Sequence, residues 1–159
     1  LLAVPASNPL NEKLADRALS REDVVAGRHR GTAVPAVDLT LFCQENLILQ
    51  EPGHDTNRRS LALCRDAGFA PRRVMVVNQL STAANLASQG LGCTFITDSL
   101  VRLVPLPPQS LCFYRLGNPL AWREVFLAWR VRSPQSPAMQ RFLTTAREYY
   151  QDLDTRASA

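Results

Sequence analysis

The chain has 159 residues, 46% of them hydrophobic, and a formal net charge of +4. This length fits one domain or two small lobes, and the hydrophobic fraction is enough for a packed core. No block of basic residues is interleaved with aromatic residues, so the chain lacks the pattern of a nucleic-acid-binding domain. No apolar run approaches the roughly 20 residues that span a bilayer, and no signal peptide is visible. The composition therefore predicts a globular chain that is neither a membrane protein nor, by itself, a DNA-binding one.

The N-terminal part is predicted to hold one strand and little regular helix. A short apolar run predicts the strand at residues 1–4. Because the chain starts with Leu inside this strand, we expect it to be a piece of a longer protein. Residues 11–30 carry a weak helical pattern, for which Ser20 and Asp23 form a suitable cap. Residues 27–36 are polar and irregular, so we expect an exposed loop whose charges face solvent.

The middle of the chain is predicted to alternate between strands and helices. A short capped helix at residues 38–42 comes first, and a strand at 47–50 follows. A turn then leads into a helix that starts at Asp55 or Thr56 and runs to residue 67. Residues 74–77 are continuously apolar and mostly β-branched, which is typical of a strand buried on both faces.

Residues 76–100 form the most informative segment, because they contain a complete βαβ unit. Ser81 or Thr82 is predicted to cap the helix through its side-chain oxygen. Gly90 suits the left-handed conformation that ends a helix, and Gly92 suits a close turn. A short apolar strand then ends in a polar loop.

The last part is predicted to be a hairpin followed by a helix. Residues 111–116 and 125–129 alternate as strands do, and a Gly-Asn-Pro turn joins them. A helix is predicted from Ser136 or Pro137 to about residue 153. The element order β-α-β-α-β, then two strands and a helix, indicates an α/β fold with a mainly parallel central sheet.

Three polar loops follow the predicted strands, at residues 51–56, 78–82 and 97–99. In a parallel sheet such loops emerge at the same edge, and here two of them lead into helix N-termini. Helix N-termini offer unpaired amide N–H groups and the positive end of the helix dipole. The edge therefore suits a small anionic ligand such as a carboxylate. The alternative, that the hydroxyl side chains in these loops serve only as helix caps, stays open.

No catalytic or cofactor motif is present. The sequence contains no nucleophile elbow, phosphate loop, zinc-protease motif or dinucleotide fingerprint, so no enzyme activity and no cofactor are predicted. His54 beside Asp55 could be an acid–base pair, but neighbours in a turn seldom hydrogen-bond productively. The four cysteines include no C-x-x-C pair, and the histidines stand at no metal-ligand spacing. We expect free, buried or half-buried thiols in a reducing cytosol.

Several stretches together resemble one family: LLAVPASNPL, NLILQEPGH, LALCRDAGFAPRRV, VMVVNQLSTAANLASQGLGCTFITDSL, and VFLAWR with SPAMQRFL. The chain resembles the C-terminal, effector-binding part of the bacterial LysR-type transcriptional regulators. The resemblance covers residues 1–10 and 38–149, and its strongest elements are AGFAPRRV and the helix–GLG–strand–DS segment.

The resemblance implies an α/β three-layer sandwich with a mainly parallel sheet, like one lobe of the type 2 periplasmic binding proteins, plus part of a second lobe. By this resemblance, residues 1–117 form the second lobe of the effector-binding domain, with an insertion at about 11–37. Residues 118–159 would be the crossover and the C-terminal helix of the first lobe. We expect the N-terminal DNA-binding domain and the start of the first lobe to lie outside this chain.

The resemblance also bears on redox sensing. The peroxide-sensing branch of the family carries G-H-C at the turn and a second cysteine further along the next helix. Here the turn reads Gly53, His54, Asp55, and only Cys64 matches the second position. Without a thiolate at Asp55 that disulfide cannot form in this way, so the resemblance implies a metabolite sensor in which Cys64 is a packing residue.

The sequence thus predicts the effector-binding part of a LysR-type regulator that senses a small anionic metabolite, a carboxylate, in the cytoplasm. The expected partners are further copies of the chain, as a dimer or tetramer, and DNA only through the N-terminal domain. A solute-binding protein of a transporter, which shares the fold, is the alternative. The cleft positions of the family and the helix-start residues give the candidate ligand-binding set: Pro52, Gly53, His54, Asp55, Thr56, Gln79, Ser81 and Thr97.

Overall fold

The structure is a computed structural model that describes residues 1–71, 74–129 and 136–158. The chain divides into two compact units, Leu1–Trp122 and Arg123–Ala159. The described strands of the first unit are β1 (Leu2–Pro5), β2 (Leu47–Gln50), β3 (Val74–Val77), β4 (Cys93–Phe95) and β5 (Leu111–Tyr114). Its helices are α1 (Leu10–Lys13), α2 (Arg21–Val25), α3 (Asp55–Asp66), α4 (Leu80–Ser88) and α5 (Asp98–Leu103), with 3₁₀ helices at Leu39–Phe42 and Pro119–Ala121. The second unit contains α6 (Pro137–Ser158), which begins where predicted and extends beyond the predicted end.

The strands of the first unit form one sheet in the order β3-β2-β4-β1-β5. β2 pairs in parallel with β3 and with β4, whereas β1 pairs antiparallel with β4 and with β5. Four strands therefore run in one direction and β1 runs in the other. The predicted α/β fold is confirmed. The sheet is mainly parallel in the directions of its strands, but β1 makes two of its pairings antiparallel.

Helices cover both faces of the sheet. Leu47 and Leu49 of β2 belong to a core cluster with Leu63 and Cys64 of α3. Ile48 lies between them and points to the opposite face, where it joins a second cluster with the buried alanines of α4. This alternation confirms the three-layer arrangement, with α3 on one side of β2 and α4 on the other.

The prediction that β3 is buried on both faces is wrong. Val74, Met75 and Val76 are 43%, 41% and 53% exposed. The physical reason is the strand order, because β3 lies at the edge of the sheet and pairs only with β2 in the described structure. Arg72 and Arg73, which precede β3 in the AGFAPRRV segment, lie outside the described residues.

The predicted hairpin is also wrong, since residues 125–129 form neither helix nor strand. A 3₁₀ helix follows β5 where the hairpin turn was predicted. Asn118 is its N-cap, and its side chain accepts a hydrogen bond from the Leu120 amide at 2.8 Å. The outer edge of β5 is already occupied by the chain before it. Leu19 exchanges two backbone hydrogen bonds of 2.9 Å with Phe113, and Val37 forms a parallel bridge with Leu116.

The predicted solvent-exposed loop at residues 27–36 is partly buried. His29 and Val34 are each only 7% exposed. The helical pattern of residues 11–30 resolves into two short helices, and the predicted cap at the start of α2 is confirmed. Ser20 and Asp23 form a reciprocal capping box. Because residues 27–36 are partly buried, their charged side chains need partners inside the protein.

The predicted caps of α4 are wrong, because the helix begins earlier than expected. Gln79 is the N-cap residue, and Ser81 and Thr82 lie within the first turn. The Gln79 carbonyl accepts the amide of Ala83 at 3.1 Å, as an N-cap carbonyl does. The other end is as predicted, since Gly90 has a φ of +84° just after the helix ends.

Candidate functional site

The three predicted loops lie at one edge of the sheet. Because β3, β2 and β4 are neighbours and run parallel, residues 78–82, 51–56 and 97–99 follow their carboxyl ends in that spatial order. The first two loops are also joined directly. The Glu51 amide donates to the Val77 carbonyl at 3.0 Å, and the Gln50 side chain donates to the Asn78 carbonyl at 3.2 Å. The predicted meeting of these loops is therefore present in the fold.

The central turn at residues 51–56 is open to solvent. Pro52, Gly53 and His54 are exposed. Gly53 has a φ of +103°, which favours glycine, and a Cβ added there would meet no atom within 4 Å. His54 is the N-cap of α3, and its amide donates to the Glu51 carbonyl at 3.3 Å. The turn thus presents backbone and a histidine ring to the solvent at the start of a helix.

Asp55 and Thr56 are half-buried and serve the start of α3. The Asp55 carboxylate forms ion pairs with Arg58 and, at 2.8 Å, with Arg59. Arg59 also donates to the carbonyls of Leu120 and Trp122 at 3.2 and 3.1 Å. Asp55 therefore anchors α3 to the segment that follows β5, and two guanidinium groups offset its negative charge at the edge.

Two helices of the first unit begin at this edge without a side-chain cap. The N-caps are His54 for α3 and Gln79 for α4, and neither side chain accepts a hydrogen bond from the first turn. Gln79 is exposed, whereas Ser81 is half-buried in the first turn of α4. Both helices direct amide N–H groups and the positive end of the helix dipole to the same edge of the sheet.

The third loop is shaped by Thr97. Its Oγ1 accepts the Leu100 amide at 3.3 Å and the Ser99 hydroxyl at 3.1 Å, so Thr97 is the N-cap of α5. Since Oγ1 accepts both of these bonds, its own O–H is the part of Thr97 that can donate to a ligand. Thr97 is half-buried and is separated from the end of β4 by one residue, Ile96.

Asp98, which the sequence reasoning missed, is the charged centre of this loop. Its Oδ2 lies 3.3 Å from Nε2 of His29, 3.0 Å from Nη2 of Arg30 and 3.9 Å from Nε of Arg102. The hydrogen bond from His29 and the neighbouring Arg30 guanidinium hold the pKa of the Asp98 carboxyl well below its usual range. In the sequence, the segment that holds its partners His29 and Arg30 gave only the signal of a polar loop.

A shallow groove of about 440 Å³ runs beside the central turn and along α3. It contains two of the candidate residues, Gly53 and His54, but not Gln79, Ser81 or Thr97. The remaining lining side chains are those of α3: Asn57, Arg58, Leu61, Ala62 and Arg65. The structure therefore brings the candidate residues to one edge of the sheet without enclosing all of them in one cavity.

The thiols of the described chain are free, as predicted. Cys64 and Cys93 are buried, whereas Cys43 and Cys112 are partly exposed. Burial raises the pKa of the Cys64 thiol to about 11 and that of Cys93 to about 12, so both stay protonated at neutral pH. Among the described residues, no group of three or more His, Cys, Asp or Glu side chains could hold a metal ion. No helix in the described part of the chain is both long enough and apolar enough to cross a membrane.

The chain is similar to known proteins both in sequence and in structure. A family model described as the LysR substrate binding domain matches residues 2–151. A curated protein of Streptomyces viridosporus, described as "Probable hydrogen peroxide-inducible genes activator", is 29% identical over 112 residues, which are 70% of this chain and 36% of that protein. The chain therefore spans only about a third of the length of this relative.

Two solved structures share the fold. The BenM effector-binding domain with its effector benzoate has a TM-score of 0.53 and 20% identity, over 76% of this chain and 45% of that one. The OxyR C206 mutant of Corynebacterium glutamicum has a TM-score of 0.53 and 18% identity, over 99% of this chain and 43% of that one. At these identities the likeness concerns the fold. Because the family model covers residues 2–151, the chain belongs to the LysR substrate-binding domain family.

Proposed function

We propose that this chain is the part of a LysR-type transcriptional regulator that binds a small anionic effector, a carboxylate, at the shared edge of β2, β3 and β4. The observation with most weight is that the uncapped N-termini of α3 and α4 begin at this edge, which carries positive backbone charge there. Membership of the family supports a binding role, since the family is not an enzyme class. That the BenM domain takes benzoate as its effector supports a carboxylate.

The proposed contacts follow the positions of the candidate residues. The exposed turn at Pro52 and Gly53 lets a ligand approach the backbone closely, and the first-turn amides of α3 at Asp55 and Thr56 would donate to a carboxylate. His54 and Gln79 would add side-chain donors from the two N-cap positions. Ser81 and the O–H of Thr97 would complete the set from α4 and from the loop before α5.

A metabolite is favoured over peroxide as the signal. At the position where the peroxide-sensing branch has its first cysteine, this chain has Asp55, whose carboxylate is paired with Arg58 and Arg59. Cys64 is fully buried and its pKa is raised, so it is a poor nucleophile. The relative described as a hydrogen peroxide-inducible genes activator is similar to this chain in sequence, and the residues at Asp55 and Cys64 favour a different signal for this chain.

The wider role is part of the same proposal. Residues 1–117 and 118–159 would belong to two lobes, and the ligand would change the packing of those lobes in a cytoplasmic dimer or tetramer of the parent protein. DNA would be bound by the N-terminal domain of the parent, and the chain would need neither a cofactor nor a catalytic group. The family match favours this function over a transporter's solute-binding protein.

The site is tested by thermal unfolding of the full-length protein with benzoate, and with benzamide as a matched uncharged ligand. A ligand present at 100 times its Kd stabilises the folded state by about 2.7 kcal/mol. We expect benzoate or another carboxylate of a small panel to raise the melting temperature and benzamide to leave it unchanged. Gly53→Leu and Thr97→Val should abolish the rise.

Gly68→Leu is the control for Gly53→Leu, because Gly68 has a φ of +82°, has open space around it, and lies at the other end of α3. It should lose similar stability from backbone strain but keep the response to ligand. An unchanged response in both Gly53→Leu and Thr97→Val would place the site elsewhere. A gel-shift assay of the full-length protein tests the regulatory role, and the absence of binding to its own promoter region would contradict it.

A further inference from the structure

The segment of residues 21–30 contacts both ends of α5. At the C-terminal end, Arg21 donates to the carbonyls of Val101 and Arg102 at 3.1 and 3.4 Å, and Arg102 donates back to the Val24 carbonyl at 3.2 Å. These bonds satisfy carbonyl groups that a helix end leaves unpaired. At the N-terminal end, His29 and Arg30 reach Asp98, the first residue of α5, at 3.3 and 3.0 Å.

The contact between α2 and α5 is a packed interface and not a loose surface contact. Val24 of α2 and Val101 of α5 are fully buried in the same core cluster. His29 is only 7% exposed, and the Asp98 side chain is 30% exposed. Ion pairs in such partly desolvated surroundings are screened less by water and salt than pairs on an open surface.

The contact at Asp98 matters because α5 depends on tertiary contacts for its position. The helix has six residues, and helices this short are unstable unless tertiary contacts hold them. Its N-cap is Thr97, and the Asp98 carboxylate also accepts the Ser99 amide at 2.8 Å. Whatever holds Asp98 therefore also fixes the loop that carries Thr97 at the proposed effector edge.

We propose that Arg30 is a positioning residue for the effector site: through Asp98 it holds the loop of residues 97–99, and the segment of residues 21–30 thereby determines the position of the Thr97 hydroxyl. This role rests on the proposed function for its biological meaning, but the positioning itself can be measured without a ligand.

Hydrogen exchange of the full-length protein tests the positioning. Arg30→Gln should raise the exchange rate of the amides at residues 97–101 by about tenfold, as expected when a hydrogen bond to a charged group is lost. Arg28→Gln is the matched control, because Arg28 pairs with Asp23 at 2.7 Å in the same segment but is 62% exposed and has no contact with Asp98 in the described structure. It should leave those amides unchanged.

Two further variants separate positioning from a general loss of structure. Arg30→Lys keeps the charge that faces Asp98 and should restore slow exchange. Asp98→Asn keeps the shape of the side chain but removes the charge, and it should raise exchange as Arg30→Gln does. Equal exchange in Arg30→Gln and Arg28→Gln would overturn the proposal, and so would failure of Arg30→Lys to rescue. Global unfolding of both Arg30→Gln and Asp98→Asn would also overturn it, because the proposed effect is local.

The response to ligand separates this proposal from the proposed function. If benzoate stabilises the wild-type protein, Arg30→Gln should weaken benzoate binding about tenfold while Arg28→Gln leaves it unchanged. If no carboxylate of the panel stabilises the wild-type protein, the proposed function is contradicted, and the exchange rates at residues 97–101 still decide whether Arg30 positions the loop.

Discussion

Gly92 makes the sharpest prediction about stability. A Cβ at this position would lie 2.7 Å from the carbonyl oxygen of Asn46 and 3.2 Å from its carbonyl carbon. The same carbonyl accepts the Cys93 amide at 2.8 Å, and this bond lies at the entrance to β4. The contact is with backbone, which a side-chain rotation cannot relieve, so Gly92→Ala must push β4 away from the residue that precedes β2.

The expected loss of stability can be added from its parts. Gly92 has a φ of +156°, and forcing a residue other than glycine into such a conformation costs about 1–3 kcal/mol. Weakening the Cys93 amide bond adds about 1 kcal/mol. We therefore expect Gly92→Ala to lower the free energy of unfolding by about 3 kcal/mol in total.

Urea unfolding followed by circular dichroism measures this loss, and Gly90→Ala is the control. Gly90 lies in the same turn with a φ of +84°, but a Cβ there would meet only the Ser7 hydroxyl at 3.8 Å. Its loss should be about 1 kcal/mol, which is the conformational part alone. Equal losses in the two variants would refute the reasoning, because they would show that the backbone of Asn46 does not constrain Gly92.

Two other predictions concern charge and redox chemistry. Because the pKa of Asp98 is lowered in the folded state, its contribution to stability is present above the unfolded pKa of about 3.9 and is lost as the pH falls below it. The difference in melting temperature between wild type and Asp98→Asn should therefore shrink as the pH falls below about 4; a difference that grows there would contradict this sign. Treatment with hydrogen peroxide should leave Cys64 reduced, because its thiol is buried and protonated. Non-reducing peptide mapping that found a disulfide at Cys64 would show that the turn and α3 open far enough to expose it.

The candidate site was predictable to the extent that it depends on local signals. Polar residues after short apolar strands, with helix patterns behind them, were enough to select the loops of the edge. The parallel pairing of β2 with β3 and β4 then brought these loops together, as the sequence predicted. Whether the eight candidate residues bind an effector stays a prediction. Asp98 was missed because its partners, His29 and Arg30, are almost 70 positions away and gave only the signal of a polar loop.

The sequence by itself determined where most strands and helices lie, the capping box at Ser20, the glycine after α4 and the free thiols, because these depend on residues close together in the chain. It also determined the family, through motifs that extend over most of the chain. Only the tertiary structure decided that β3 lies at an exposed edge and that Leu19 and Val37, instead of residues 125–129, occupy the outer edge of β5. It likewise decided that residues 21–30 pack on α5. Strand order and docking depend on contacts between distant residues, whose closure entropy and shared burial no local pattern records.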